Sequence, residues 1–396
     1  MINDQDIVIV GSARTPIGKF QGAYANMPAT DLGGVAVRAA VARAGVDAAL
    51  IDECIMGNVV SAGLGQAPAR QAALAGGLPA SVSALTINKV CGSGLKAVML
   101  ASALIRNGDA RVIVAGGMEN MTRTPYMLPQ ARAGYRLGNG ELIDSVVHDG
   151  LWCPFEHHHM GQSAEWIART FEVSRAAQDA FAAQSHARAI AAQDAGAFAD
   201  EIAPVDVPAG RGKTITITTD EPPRRDTDAK VLAGLRPAFA SDGTVTAGNA
   251  PGITDGAAAL VVTNGATARE LGLTPIARVL GAAQAAVKPI ELFTAPVFAV
   301  RRLMERTNTT LDSYDLFEIN EAFAAQVVAN GRELGLDWDR LNIHGGAIAL
   351  GHPIGASGAR VLVTLINALK QRGGQRGFAS LCLGGGEAVA LAVELV

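Results

Sequence analysis

The chain has 396 residues, 49% hydrophobic and 18% charged, enough for a globular protein with more than one core. Its net charge of -4 gives no reason to expect nucleic-acid binding, and no apolar run reaches the length of a membrane span. Four widely spaced cysteines do not look like a secreted disulfide framework, and Met1 to Val10 lacks the pattern of a signal or transit peptide, so the expected compartment is the cytoplasm.

Ile7-Val8-Ile9-Val10 reads as a buried strand ended by Gly11, followed by a loop from Ala13 to Gly18. Asp31 to Ala44 reads as a helix with Asp31 as its cap and Gly45 as its stop. Asp52 to Val60 is a second strand, Pro68 to Ala75 a short helix, and Ala84 to Ile87 leads into a bend at Cys91. A helical pattern follows from Leu95 to Ile105, then a buried strand from Arg111 to Ala115. From Asn120 to about Gly248 the pattern is irregular, apart from one helical region, Ala164 to Ala195. Such a stretch in a compact fold predicts an insertion over the working face of a sheet. Regularity returns with a strand at Ala258 to Val262, a helix at Ala266 to Gly272 and a strand starting at Ala277. Next come a helix at Pro296 to Glu305, a strand at Leu316 to Ile319 and a helix at Ala324 to Leu334. A glycine-rich loop then leads to a helix from about Ala359 to Gln371, a strand at Phe378 to Leu383 and a last strand after Gly384-Gly385-Gly386. Strands alternating with helices indicate an α/β layer fold.

The chemistry concentrates at Asn88-Lys89-Val90-Cys91-Gly92-Ser93-Gly94. The glycines permit a tight turn and close approach of a substrate. The amides of a helix start stabilise negative charge. Cys91 is therefore expected to ionise below the free-thiol value of ~8.5 and to act as a nucleophile. The alternative is a small apolar residue packed beneath the helix.

A short internal repeat points to two equivalent halves. Cys91-Gly92-Ser93-Gly94 opens a helix followed by a strand ending Gly116-Gly117-Met118-Glu119. Gly355-Ala356-Ser357-Gly358 opens another, followed by a strand ending Gly385-Gly386-Glu387. If the halves are equivalent, the two loops face each other and Cys91 lies near His352 and Cys382. His352 can take a thiol proton, or can be a surface or capping histidine. Cys382 is either core or a second, proton-moving thiol, and the glycines after it offer amides to an oxyanion. Asn320 can orient a water or simply form a turn. His157-His158-His159, with Glu156 and Cys153, makes no recognised zinc spacing, so no metal is expected.

Four blocks in this order resemble the thiolases, and among them most closely the acetyl-CoA acetyltransferases. They are Asn88 to Gly94, Asn320-Glu321-Ala322-Phe323, Gly351-His352-Pro353-Ile354-Gly355 and Cys382-Leu383-Gly384-Gly385-Gly386. The resemblance implies two similar βαβαβαββ halves in a five-layered α-β-α-β-α arrangement with an inserted loop domain. It implies an N-terminal half of residues 1-118 plus 250-269, a loop domain of 119-249 and a C-terminal half of 270-396.

The implied activity is the ping-pong Claisen condensation of two acetyl-CoA to acetoacetyl-CoA and CoA, and the reverse thiolysis. By resemblance, Cys91 accepts the acyl group. His352 activates it and, with a water held by Asn320, stabilises one thioester oxygen. Cys382 is the acid/base, and the amides of Cys91 and Gly384 form the second oxyanion hole. His159, Met160, Arg224, Ala247, Phe239, Ala322 and Phe323 fall to substrate and CoA binding. No cofactor is implied, because the coenzyme A thioesters are substrates, and a homotetramer with contacts in Met121 to Leu142 is expected, with a dimer as the alternative. One departure is Pro251, which lacks the hydroxyl that many members offer the pantetheine from a serine at that place. Alternatives are a 3-ketoacyl-CoA or 3-oxoadipyl-CoA thiolase, a decarboxylating condensing enzyme on the same fold and a non-catalytic acyl-CoA-binding relative. The decarboxylating enzyme would be expected to carry a second histidine where this chain has Asn320 or Cys382. Retention of Cys91, His352 and Cys382 argues against a non-catalytic relative.

Overall fold

A computed structural model describes residues 2–210 and 212–396, so Met1 at the head of the first predicted segment lies outside the described residues. Among these, nine strands follow one another across a sheet, and Gly18–Lys19 pairs alongside. The spatial order is Leu316–Ile319, Arg376–Leu383, Glu387–Leu395, Ala277–Ala286, Ile7–Arg14, Thr254–Asn264, Val112–Asn120, Glu53–Gly57 and Ser83–Ile87. The pairings repeat. Glu53–Gly57 lies parallel to Val112–Asn120, which lies antiparallel to Thr254–Asn264, which lies antiparallel to Ile7–Arg14. In the second half, Leu316–Ile319 lies parallel to Arg376–Leu383, and two antiparallel steps lead on to Ala277–Ala286. The halves meet in a short pairing of Val8 with Arg278 and Ile9 with Ala277. The two-half reading of the repeat is thus visible in the hydrogen-bond ladder.

Five layers follow from what each sheet face must cover. The Ser93–Asn107 and Ile354–Arg372 helices share one apolar core with both halves of the sheet, through residues such as Leu95, Val98, Leu362, Ile113 and Leu381. The Ala29–Ala44 and Pro68–Ala75 helices cover the outer face of the first half. Ala295–Thr307 and Ala324–Leu334 cover that of the second. Every residue of Val112–Asn120 is buried, as expected of a strand with helices on both faces.

The two central helices cross at glycines. A Cβ on Gly94 would lie 2.6 Å from Ala359 N, and one on Gly358 would lie 2.3 Å from Leu95 N. A Cβ on Gly117 would lie 2.0 Å from the Gly355 carbonyl oxygen. These contacts give the repeated glycines their physical meaning. They let the helix starts after Cys91 and His352 approach backbone to backbone, which brings the two loops together.

Several boundaries differ from expectation. Gly11 does not end the first strand, which continues to Arg14 through a register shift between Ile9 and Gly11. Gly11 instead makes room for a helix, since a Cβ there would lie 2.4 Å from Ala40 O. The first helix begins at Ala29 with Pro28 at its cap, leaving Asp31 in the first turn. The helical stretch after Ala164 is two helices, Met160–Thr170 and Arg175–Asp194, separated where Glu172 adopts φ 50. The last long helix starts at Ile354, five residues before the expected Ala359, so His352 sits at its threshold rather than in a free loop.

The irregular stretch is anchored at both sides of the molecule. Arg14, fully buried, pairs with Glu201 at 2.5 Å and Asp220 at 2.6 Å. Ala164, Ile167 and Phe181 pack in one core with Phe293 and Phe323 of the second half. A segment that interrupts the first half therefore roofs the second.

Candidate active site

Cys91 is aimed by the turn before it. Val90 adopts φ 46, a left-handed conformation that costs a β-branched residue about 1–3 kcal/mol. Asn88 Oδ1 accepts from Val90 N at 2.9 Å, and Ser93 Oγ closes the turn by accepting from Lys89 N at 2.8 Å. The strained turn puts the thiol at the head of the Ser93–Asn107 helix, where the backbone amides of Cys91 and Gly384 favour its ionised form.

Burial nevertheless pushes the Cys91 thiol up to about 12, and the Glu119 carboxylate adds to the rise, outweighing those two amides. The expectation of a thiol that ionises below the ordinary value is therefore corrected. The two amides favour the thiolate, but desolvation costs it more.

His352 is buried, and burial with the nearby Arg360 charge pulls its imidazole down to about 3. Its Nδ1 lies 2.6 Å from Ser357 Oγ, and its Nε2 lies 3.4 Å from Asn320 Nδ2. Asn320 Oδ1 is buried without a protein partner among the described residues, so it has an acceptor to offer a water or ligand. Cys382 is the next-to-last residue of the Arg376–Leu383 strand, in register with Ala388. Burial and the proximity of Cys91 raise its thiol well above the ordinary value. Gly385 and Gly386, at φ 87 and 93, form the turn that presents the Gly384 amide.

These groups open into one cavity of about 360 Å³, lined by Cys91, His352, Cys382 and Gly384. Its walls hold every remaining predicted binding residue: His159, Met160, Arg224, Phe239, Ala247, Ala322 and Phe323. Asn320 stands behind His352 rather than on the wall. The His159 and Phe239 rings stack at 4.9 Å, and Phe323 meets Phe239 edge-on at 6.1 Å. Gly161 makes that stack possible, because a Cβ there would lie 2.2 Å from the Phe239 ring. His159 Nδ1 accepts from Gly161 N at 3.0 Å and His158 Nε2 meets Ser163 Oγ at 2.8 Å, so these two histidines cap a helix and position a ring. A larger surface groove of about 570 Å³, lined by Arg188, His344 and Arg372, contains no thiol or carboxylate.

Among the wall residues that sequence reasoning misses are Met121, Leu151 and Ile354. They close the cavity beside Cys91 from three distant segments, and no local pattern links them. It also misses Glu119 as a brace. The Glu119 carboxylate accepts from Val59 N at 3.0 Å, Val60 N at 3.2 Å and Gly355 N at 2.9 Å, tying the two halves at the site. Burial pushes it up to about 7.

These shifts predict the pH behaviour of the thiol. The imidazole is neutral above about 3 and the Cys91 thiol protonated below about 12, so neither changes state between pH 5 and 8. Alkylation of Cys91 by iodoacetamide should show no histidine-like inflection in that window. Any inflection near 7 should belong to Glu119 and vanish in Glu119→Gln; one that persists in that variant would contradict the assignment.

An apolar cavity with two thiols, the neutral imidazole of His352 and two convergent amides suits acyl transfer through a thioester. Relatives agree. The family description "Thiolase, N-terminal domain" matches residues 7–266, and "Thiolase, C-terminal domain" matches residues 273–395. An acetyl-CoA acetyltransferase of Pseudomonas aeruginosa is 52% identical over 387 residues, covering 98% of each chain. One of Cupriavidus necator is 52% identical over 389 residues, covering 98% of this chain and 99% of its own. The crystal structure of the Bacillus anthracis acetyl-CoA acetyltransferase superposes with a TM-score of 0.97 at 43% identity, covering 99% of both chains. With both halves matched, and with the two-half ladder and the thiol-lined cavity arising independently from the structure, the chain belongs to the thiolase family.

Proposed function

We propose that the chain is an acetyl-CoA C-acetyltransferase that condenses two acetyl-CoA to acetoacetyl-CoA and CoA and runs the reverse thiolysis. The observation that carries this reading is the convergence of Cys91, His352, Cys382 and the Gly384 amide on one apolar cavity. Relatives named acetyl-CoA acetyltransferase, about half identical over nearly the full chain, support it.

In the thiolysis direction, Cys91 Sγ attacks the 3-keto carbon of acetoacetyl-CoA while its proton passes to His352 Nε2. The oxygen that becomes negative sits between the Cys91 and Gly384 amides. The C2–C3 bond breaks, leaving acetyl on Cys91 and an acetyl-CoA enolate. The His352 Nε2–H and a water on Asn320 hold the enolate oxygen, and Cys382 gives its proton to C2. CoA then enters and gives its thiol proton to the Cys382 thiolate. Its sulfur attacks acetyl-Cys91, and the departing Cys91 thiolate recovers its proton from His352. Condensation is the reverse. A thiol held well above its usual value is a weak acid, so its thiolate is a strong base, as removal of a weakly acidic thioester α-proton requires. The steps as written need no metal or redox cofactor.

The segment 119–249 serves as the loop domain, between an N-terminal half of 1–118 plus 250–269 and a C-terminal half of 270–396. Met121 to Leu142 supplies contacts for a homotetramer, a role supported by the exposed apolar side chains of Tyr126, Leu128, Leu137 and Leu142. No helix among the described residues is long and apolar enough to cross a membrane, and the enzyme works in the cytoplasm. Pro251 lines the cavity, and its side chain offers pantetheine only apolar contact.

Chain length tests the acetyl assignment. The stacked His159–Phe239 pair and Met160 narrow the acyl end. Acetoacetyl-CoA should be cleaved with a higher kcat/KM than long-chain 3-ketoacyl-CoAs or 3-oxoadipyl-CoA in steady-state assays. The opposite ranking would replace the acetyl assignment with a broader thiolase.

A further inference from the structure

His352 must present a bare nitrogen to the Cys91 thiol, and Ser357 bears on which nitrogen is bare. Ser357 is fully buried, its Oγ 2.6 Å from His352 Nδ1 and 3.0 Å from the Pro353 carbonyl oxygen. A serine hydroxyl has one proton, so it donates either to the imidazole or to the carbonyl.

The matching serine of the first half shows how such a hydroxyl divides its contacts. Ser93 holds the equivalent place in the first half. Its Oγ accepts from Lys89 N at 2.8 Å, a group that can only donate, and therefore turns its own proton to Val90 O at 2.7 Å. In the second half the Ser357 hydroxyl likewise reaches a carbonyl of the preceding turn, Pro353 O, four residues back where Val90 is three, and its other neighbour is the His352 ring nitrogen in place of a backbone amide. The other ring nitrogen agrees. Nε2 faces the Asn320 side-chain amide at 3.4 Å, and with Nδ2 turned toward the ring, as here, the contact suits a bare Nε2.

We propose that Ser357 is a positioning residue that fixes His352 in the Nδ1–H tautomer, leaving Nε2 bare to receive the Cys91 proton. The inference rests on the role given to His352 above. Proton uptake at Nε2 then needs no tautomer exchange, because Nδ1–H stays on the hydroxyl throughout. The hydroxyl differs from a carboxylate in the same place. It orients the ring without adding a charge that would favour the imidazolium, so His352 remains neutral at rest.

The test is nitrogen-15 NMR of histidine-labelled protein at neutral pH, with the His352 signals assigned by their loss in His352→Asn. Wild type is expected to show Nδ1 protonated and Nε2 bare. Ser357→Ala should lose this preference, with acetylation of Cys91 by acetyl-CoA slowed roughly 10- to 100-fold, the scale seen when a histidine's orienting partner is removed. Its KM for acetyl-CoA should change little. Ser357→Thr, which keeps the hydroxyl, should restore both the tautomer and most of the rate. A protonated Nε2 in wild type, or a Ser357→Ala protein with unchanged tautomer and rate, overturns the proposal. Should Ser357→Ala not fold, the wild-type spectrum alone decides. A wild-type protein that cleaves no 3-ketoacyl-CoA would instead sink the proposed activity.

Discussion

Cys91→Ala is expected to lose condensation, thiolysis and the exchange of acetyl between acetyl-CoA and free CoA, each by at least about 10,000-fold. The size follows from the chemistry. Without Sγ there is no acyl-enzyme, and direct attack of one thioester on another must form its carbanion and displace CoA in one event. The variant should keep its fold, because the turn is held by Asn88, Val90 and Ser93 and not by the thiol. It should still bind acetyl-CoA, since the aromatic wall is untouched. Retention of acetyl exchange in this variant would move the nucleophile elsewhere. Cys54 and Cys153 are buried outside the cavity, which leaves Cys382 as the other thiol on its wall.

The second large effect separates the two thiols. Cys382→Ala removes the acid/base while leaving Cys91, His352, Asn320 and the Gly384 amide in place. It should still take acetyl from acetyl-CoA and return it to CoA, though more slowly. Carbon–carbon bond formation and cleavage should fall by about 100- to 10,000-fold, the range that general acid–base catalysis contributes. The lost sulfur should cost about 1 kcal/mol of stability, small beside that effect. Thermal unfolding followed by circular dichroism checks the second statement. Acetyl exchange and acetoacetyl-CoA cleavage, measured side by side, check the first. A Cys382→Ala protein that cleaves acetoacetyl-CoA at near wild-type rate would make Cys382 a core residue. A folded one that cannot be acetylated at all would break the division of labour between the thiols.

Much of the fold and the site is legible in the sequence, and the reasons are local. Cys91 stands where a strand meets Gly-Ser-Gly, and the second Gly-x-Ser-Gly after His352 announces a matching half. The strand at Leu316–Ile319 and the helices at Pro68–Ala75 and Ala324–Leu334 agree with expectation to the residue, because apolar period and glycine or proline punctuation coincide there. What the sequence hides depends on tertiary burial. The Cys91 thiol lies at a helix start, which in isolation lowers its pKa. The surrounding Met121, Leu151 and Ile354, from three separate segments, desolvate it and reverse the sign. Gly11 reads as a strand end because its true partner, Ala40 O, lies on a helix far along the chain. Ser357 is legible only as part of a glycine motif, since its contact with His352 spans the turn where the helix starts.

The acetyl-enzyme itself is the most direct test of the account. Wild-type protein mixed with acetyl-CoA, and separately with acetoacetyl-CoA, is quenched in acid, digested and analysed by mass spectrometry. Both substrates should leave one acetyl group, on the peptide that carries Cys91, and added CoA should discharge it before the quench. An acetyl group on Cys382, Cys54 or Cys153, or none from either substrate while acetoacetyl-CoA is still being cleaved, would contradict the acyl-Cys91 mechanism.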